Sequence, residues 1–259
     1  MADPRNPHGS FIWYELLTND QDAAATFYGE VLGWASERFE GADMEYRIFS
    51  ADGAGVAGHM KLPEGAEDGA MRAGWLGYVG VDDVDAAVAS VEAAGGRVHM
   101  PAMDLEGVGR MALLADPQGV PFYVMRGASE AASDSFDAKR AGHCSWNELS
   151  TPDPVAALDF YAALLGWKAG TAMPMGEMGD YRFIEHGGQA IGAIMRNPPG
   201  RAPGWNFAFG VRDVDEAAAR IRASGGTVRH GPVEVPGGDR VVMASDPEGI
   251  SFMAVGPRE

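Results

Sequence analysis

Residues 13–34 read WYELLTNDQDAAATFYGEVLGW, and residues 146–167 read WNELSTPDPVAALDFYAALLGW. Aligned at an offset of 133, residues 9–34 and 142–167 are identical at 13 of 26 positions. The phrase is punctuated like a strand followed by a helix. FIWYELLT (11–18) alternates as a strand does. Asp20 or Asn19 can cap a helix in which Ala24, Phe27, Tyr28, Val31 and Leu32 keep helical spacing, and Gly33 supplies a left-handed stop. Its recurrence marks a duplication, which has to be recognised before any fold is assigned.

The repeat extends outward. GWLGYVGVDDVDAAVASVEAAGG (74–96) answers GWNFAFGVRDVDEAAARIRASGG (204–226) at an offset of 130, and LADPQGVPF (114–122) answers ASDPEGISF (244–252). Each half therefore holds two modules. In the first half, strands are expected near 35–39, 45–50 and 55–62, then at LGYVGV, then near 97–103, 109–115 and 121–125. Asp82 or Asp83 caps the intervening helix and Gly95-Gly96 ends it. The order strand, helix, three strands occurs four times. One such module leaves a sheet face bare, and pairing two lets their sheets curl around a shared cup with helices outside. The fold class is α+β, with four βαβββ modules paired into two tandem cup-shaped domains. The expected layout is a tail at 1–8, a first domain at 9–126 (modules 9–63 and 74–126), a linker at 127–140, and a second domain at 141–257 (modules 141–198 and 204–257). The linker region, RGASEAASDSFDAKR at 126–140, is polar and has no hydrophobic period.

The totals narrow the function. Of 259 residues, 46% are hydrophobic, enough for a real core. The formal charge of -17 repels phosphate backbones and anionic headgroups, so neither nucleic acid nor a membrane surface is an expected partner. No apolar run approaches the ~20 residues of a membrane span, and MADPRNPHGS lacks the pattern of a secretory leader. A single cysteine, Cys144, fits a reducing compartment. The expectation is a cytoplasmic protein, monomer or homodimer, whose partner is a small molecule.

Taken together, the βαβββ order, D-x-x-x-A-x-x-FY-x-x-x-LGW after the first strand, VDDVDAA opening a second helix and DPxG before the last strand resemble the vicinal oxygen chelate superfamily. That group contains the glyoxalases, bleomycin-resistance proteins and extradiol dioxygenases, and the W-x-E-L-x-T opening resembles a tandem-domain, glyoxalase-related branch. The resemblance implies glyoxalase-like domains and Lewis-acid chemistry at a divalent cation held by His, Glu or Gln on the first and last strands of paired modules. Carried onto this chain, those positions give Trp13 and Trp146, Leu76 and Asn206, Tyr123 and Met253, with His59, or Ala193 and Ile194, at the remaining place. Indole nitrogen only donates, and no H-x-x-x-H, C-x-x-C or H-E-x-x-H spacing compensates. No metal and no other cofactor is expected.

Other residues allow two readings each. Glu15 and Glu148 share the strand face of the tryptophans. They are either general bases or ligand anchors, or they pair with Arg47 and Arg182 in EYRIF and DYRFI. Trp13 and Trp146 either wall a flat apolar ligand or plug the space of a lost metal. Arg110 and Arg240, after glycine-containing turns, clamp an anionic group or make surface ion pairs. GVGRMA at 107–112 has no helix after it, so the dinucleotide reading fails. Of six histidines, His59 and His143 are candidates to approach a cup, and Cys144 beside His143 faces the other way. Met173, Met175 and Met178 form a thioether-lined loop expected near a cup mouth. These features point to a protein that binds a small oxygenated or aromatic metabolite, with metal-independent lyase- or isomerase-type chemistry through Glu15 or Glu148. The alternatives are a non-catalytic sequestering or resistance protein and a metal-dependent glyoxalase or dioxygenase.

Overall fold

A computed structural model describes residues 6–41, 44–63 and 72–257; residues 1–5 of the expected tail lie outside that set. The first module runs β1 (Phe11–Thr18), α1 (Gln21–Leu32), β2 (Ala35–Arg38), β3 (Tyr46–Ala51) and β4 (Ala54–Lys61). The second runs β5 (Gly74–Gly80), α2 (Val84–Ala93), β6 (Arg97–Leu105), β7 (Gly109–Ala115) and β8 (Pro121–Gly127). The third has β9 (Cys144–Thr151), α3 (Pro154–Leu165), β10 (Lys168–Pro174), β11 (Asp180–His186) and β12 (Gln189–Arg196). The fourth has β13 (Gly204–Gly210), α4 (Val214–Ala223), β14 (Thr227–Glu234), β15 (Arg240–Ser245) and β16 (Ser251–Gly256).

The helix punctuation acts as the sequence suggests. Asp20 accepts from the N–H groups of Asp22 and Ala23, and Asp153 does the same for Val155 and Ala156. Such a cap is worth about 1 kcal/mol. Gly33 and Gly166 close α1 and α3 at φ +74° and +72°, a region that costs other residues strain. Met173 is not in a loop as expected: it lies in β10, and only Met175 and Met178 belong to the turn that follows. The expected linker is also tied down, with Ser133 Oγ donating to the Ile12 carbonyl (2.6 Å) and the Cys144 N–H to the Ser135 carbonyl (3.0 Å).

The strands form two eight-stranded sheets, ordered β2-β3-β4-β1-β5-β8-β7-β6 and β10-β11-β12-β9-β13-β16-β15-β14. Within the modules the pairs β1–β4, β5–β8, β9–β12 and β13–β16 run parallel, and the other pairs within each module are antiparallel. Among the described residues, no helix is long and apolar enough to cross a membrane.

Close packing groups the modules across the two halves of the chain. One compact unit is Met1–Ile12, Leu76–Ser133 and Asn147–Trp205, and the other is Trp13–Trp75, Asp134–Trp146 and Asn206–Glu259. The Phe-Tyr pair of the repeated phrase explains this grouping. Tyr28 Oη donates to Asp246 Oδ2 of the fourth module's DPxG turn (3.2 Å), and Tyr161 Oη to Asp116 Oδ2 of the second module's (3.2 Å). Each aspartate also ties its own turn, Asp116 accepting from Gln118 and Val120 and Asp246 from Glu248 and Ile250. Burial still raises both carboxyls above the usual range. Around Tyr28 stand Trp34, Phe49, Trp75 and Phe252, and around Tyr161 stand Phe122, Phe160, Trp167 and Trp205. Burying each such ring contributes on the order of 2 kcal/mol.

Candidate functional site

Strand register decides which side chains share a face. Residues paired across a ladder point the same way, and successive residues alternate. Glu15 pairs with Gly58, which pairs with Ile48, while Leu16, His59 and Arg47 line up on the opposite face. Glu148 pairs with Ala193, which pairs with Phe183, while Leu149, Ile194 and Arg182 oppose them. One face of each sheet is covered by helices, and the other carries Trp13 with Glu15 and Trp146 with Glu148.

This phase sets aside the Glu15–Arg47 and Glu148–Arg182 pairs and leaves Arg110 and Arg240 with the surface ion pairs that the sequence also allowed. Arg47 lies on the helix-covered face and holds Asp22 and Glu45, both at 2.6 Å. Arg182 holds Asp180 at 3.2 Å and donates to the Gly170 carbonyl, so it is not the partner of Glu148. Arg110 and Arg240 are likewise out of phase with Tyr123 and Met253. Arg110 pairs with Asp85 (2.8 Å) and Asp104 (3.0 Å), and Arg240 with Asp215. None of the four is placed to clamp a ligand beside those residues. His59 is corrected on the same ground: its ring stacks on Phe49 at 4.0 Å, its Nε2 contacts Ser36 Oγ, and burial followed by the charge of Arg47 lowers its pKa to about 4. His143 is buried with Nδ1 on the Asp134 carbonyl (2.6 Å). Cys144 is buried, and burial pushes its thiol up to about 12, which removes it as a nucleophile.

The partners of the strand-face residues are tyrosines that precede the two arginines. Tyr181 Oη donates to Glu148 Oε2 at 2.9 Å, and Met173 pairs opposite Tyr181. Glu148 is 8% exposed. Burial raises its pKa, partly offset by the Tyr181 bond and the charge of Arg201. Trp13 Nε1 donates to Tyr46 Oη at 2.9 Å. A Cβ at Gly58 would stand 1.8 Å from that oxygen and 3.1 Å from the indole nitrogen, so glycine makes room for the pair. Glu15 is buried beside it in sequence, 3% exposed. The Y-R dipeptide in EYRIF and DYRFI was visible in the sequence, but choosing its tyrosine over its arginine needs the ladder register.

Two further faces carry expected residues. Trp146 packs on Ala208, Val241 and Met253, with Val233, Met243 and Val255 around them, an apolar wall within one compact unit. Asn206, in phase with Ala208, keeps a buried Oδ1 that has no hydrogen-bond partner among the described residues. In the other unit Tyr123 stacks on Tyr78 at 4.1 Å and 11°.

These features define an α+β protein of repeated βαβββ modules whose uncovered strand faces hold aromatic side chains and a buried carboxylate. The model of the Glyoxalase/Bleomycin resistance protein/Dioxygenase superfamily matches residues 10–124 and again 140–254, and the chain belongs to that superfamily. A relative from Mycobacterium bovis, CFP32, named as a candidate glyoxylase, is 35% identical over 252 residues, covering 96% of this chain and 95% of its own. The anthracycline biosynthesis protein DnrV of Streptomyces peucetius is 35% identical over 269 residues, covering 97% and 94%. Among solved structures, a Mn(II)-bound glyoxalase from Novosphingobium aromaticivorans has a TM-score of 0.66 at 23% identity, covering 98% of this chain and 83% of that one. Homoprotocatechuate 2,3-dioxygenase from B. fuscum has a TM-score of 0.70 at 17% identity, covering 100% and 74%. These likenesses concern the fold.

The side chains do not fit the metal that the fold family implies. Trp13 is a donor already engaged by Tyr46, Gly58 and Ala193 offer no ligand, and His59 faces the helix side. Leu76, Trp146 and Met253 are poor partners for a hard or borderline cation. Among the described residues, no three or more His, Cys, Asp or Glu are grouped as a cation would need.

Proposed function

We propose that this glyoxalase-related protein binds a small oxygenated or aromatic metabolite on these strand faces, and that Glu148 acts there as a general base in metal-independent lyase- or isomerase-type proton transfer. The buried Glu148–Tyr181 contact carries the reading. A carboxyl kept out of water, with its pKa raised, is a stronger base when it ionises. In isomerisation Glu148 removes a proton from a carbon beside a carbonyl, and the C–H electron pair forms the C=C bond as the carbonyl oxygen takes the charge. The proton then returns from Glu148 to that oxygen to give the enol. The Tyr181 hydroxyl, which donates to Glu148 Oε2, turns to donate to the enolate oxygen as its charge develops. Glu15, equally buried, is the corresponding candidate in the first half. The protein is proposed to be a cytoplasmic monomer or homodimer, with a small molecule as partner.

The Trp146 wall favours a second reading, a sequestering protein that needs only contact area for an apolar or aromatic ligand. The relatives' names, a candidate glyoxylase and an anthracycline biosynthesis protein, give weight to small-molecule roles of either kind. A panel of small carbonyl compounds and fused-ring aromatics separates the readings. Turnover that falls roughly tenfold or more in Glu148→Gln with binding retained supports the base. Stoichiometric binding without product at long incubation supports sequestration and ends the catalytic reading.

A further inference from the structure

In the compact unit formed by Trp13–Trp75, Asp134–Trp146 and Asn206–Glu259, a cavity of about 280 Å³ opens at the end of α1 and the start of α4. Val31, Gly33, Ala51, Ala141, Arg212 and Glu216 are among the residues lining it. The duplication gives this place a counterpart in the other unit, and there it is filled. At offsets of 133, 135 and 130, Ala141 corresponds to His8, Ala51 to His186, Val31 to Leu164, and Arg212 to Asp82. The surroundings match: Trp34 Nε1 donates to the Gly142 carbonyl (2.8 Å) as Trp167 Nε1 does to the Gly9 carbonyl (2.7 Å).

The filled copy shows what the backbone of this place recognises. Asp82 N–H donates to His8 Nδ1 at 3.2 Å, so Nδ1 is the acceptor. The proton then sits on Nε2, which donates to the Leu164 carbonyl at 2.9 Å, at the end of α3. His186 Nε2 closes the cluster by donating to the His8 carbonyl at 2.8 Å. The imidazole thus spans a carbonyl at one helix end and an N–H leading into the next helix. In the open copy, alanines replace both histidines, while Val31 and Arg212 are among the lining residues at the corresponding places.

We propose that this cavity binds an azole of the imidazole class, a planar ring with an N–H and a ring nitrogen in 1,3 relation, through the Val31 carbonyl and the Arg212 N–H. It shares no lining residue with the faces of Trp146 and Glu148, so its occupancy is independent of the function proposed above. The test titrates full-length protein with 4-methylimidazole, the free histidine side chain, at a pH where the ring is neutral, and follows amide resonances by NMR. Saturable shifts of Gly33, Gly142 and Arg212 are expected, with a Kd of about 1 mM or tighter, ordinary for so small a fragment. Ala141→His, which supplies the ring covalently, and Ala51→Leu, which blocks the space by bulk alone, are each expected to weaken binding roughly tenfold or more. 4-Methylpyrazole, with adjacent nitrogens, is expected to bind as weakly as those variants bind the imidazole. The proposal is overturned by absent or unsaturable shifts, by binding that persists in both variants, or by equal affinity for the two azoles.

Discussion

At His59 burial decides the ionisation state. The ring lies between Phe49 and Ser36, and its pKa falls from 6.5 to about 4. The unfolded chain therefore binds more protons between those values, so stability is full above pH 6.5 and is lost as pH falls through 4. The whole effect is about 3 kcal/mol. His59→Phe, which keeps an aromatic ring on Phe49, is expected to flatten the urea-unfolding free energy between those pH values; an unchanged acid slope would place the liability elsewhere. Glu148 has the opposite sign. Its raised pKa means that stability is present below the unfolded carboxyl value and is lost as pH rises through the folded one. Glu148→Gln should be more stable than the parent at neutral pH, with the advantage vanishing in acid. Tyr181→Phe removes a bond that lowers the Glu148 pKa, so any pH–rate profile governed by this base should move to higher pH. The glutamates and tryptophans of these faces were legible in the sequence as W-x-E. Their tyrosine partners were not, because one residue of strand phase separates Tyr46 from Arg47 and Tyr181 from Arg182, and the sheet register alone chooses between them.

Among the elements, β4 makes room for a contact between two aromatic side chains of the neighbouring strands. Gly58 leaves the space in which the Tyr46 hydroxyl meets the Trp13 indole. Gly58→Ala forces that pair apart and is expected to cost about 1–3 kcal/mol, the range of overpacked sites. Adding Tyr46→Ala, which empties the space, should recover much of the loss specific to Gly58→Ala. A double-mutant cycle in denaturant checks this, and additive losses would refute the collision. Element order and helix caps were readable because they depend on local chemistry: Asp20, Asp83, Asp153 and Asp213 all cap the helices they precede. The expected Met173–Met178 loop failed at its start, since Met173 gains a ladder partner in Tyr181 that no local signal announces.

For the whole molecule, each eight-stranded sheet joins the two modules of one half, as the repeat implies, and close packing then groups modules across the halves. The first module packs with the fourth and the second with the third, through Tyr28 on Asp246 and Tyr161 on Asp116. Residues 1–133 expressed alone would bare Phe27, which meets Phe252 in the full chain, and Phe122, which meets Tyr161, side chains at most 2% exposed there. That fragment is expected to self-associate, replacing the missing modules with those of a second copy. Sedimentation showing a monomer with cooperative unfolding would contradict this. By itself the sequence determined the four modules, their helices and stops, the superfamily resemblance, and the W-x-E strand faces, since periodicity, capping and repetition are written in neighbouring residues. Only the tertiary structure decided which modules pack together, which side of a strand each arginine takes, and why one copy of a duplicated place is filled by His8 and His186 while the other stands open. Those outcomes depend on ladder register and on contacts between residues more than a hundred positions apart.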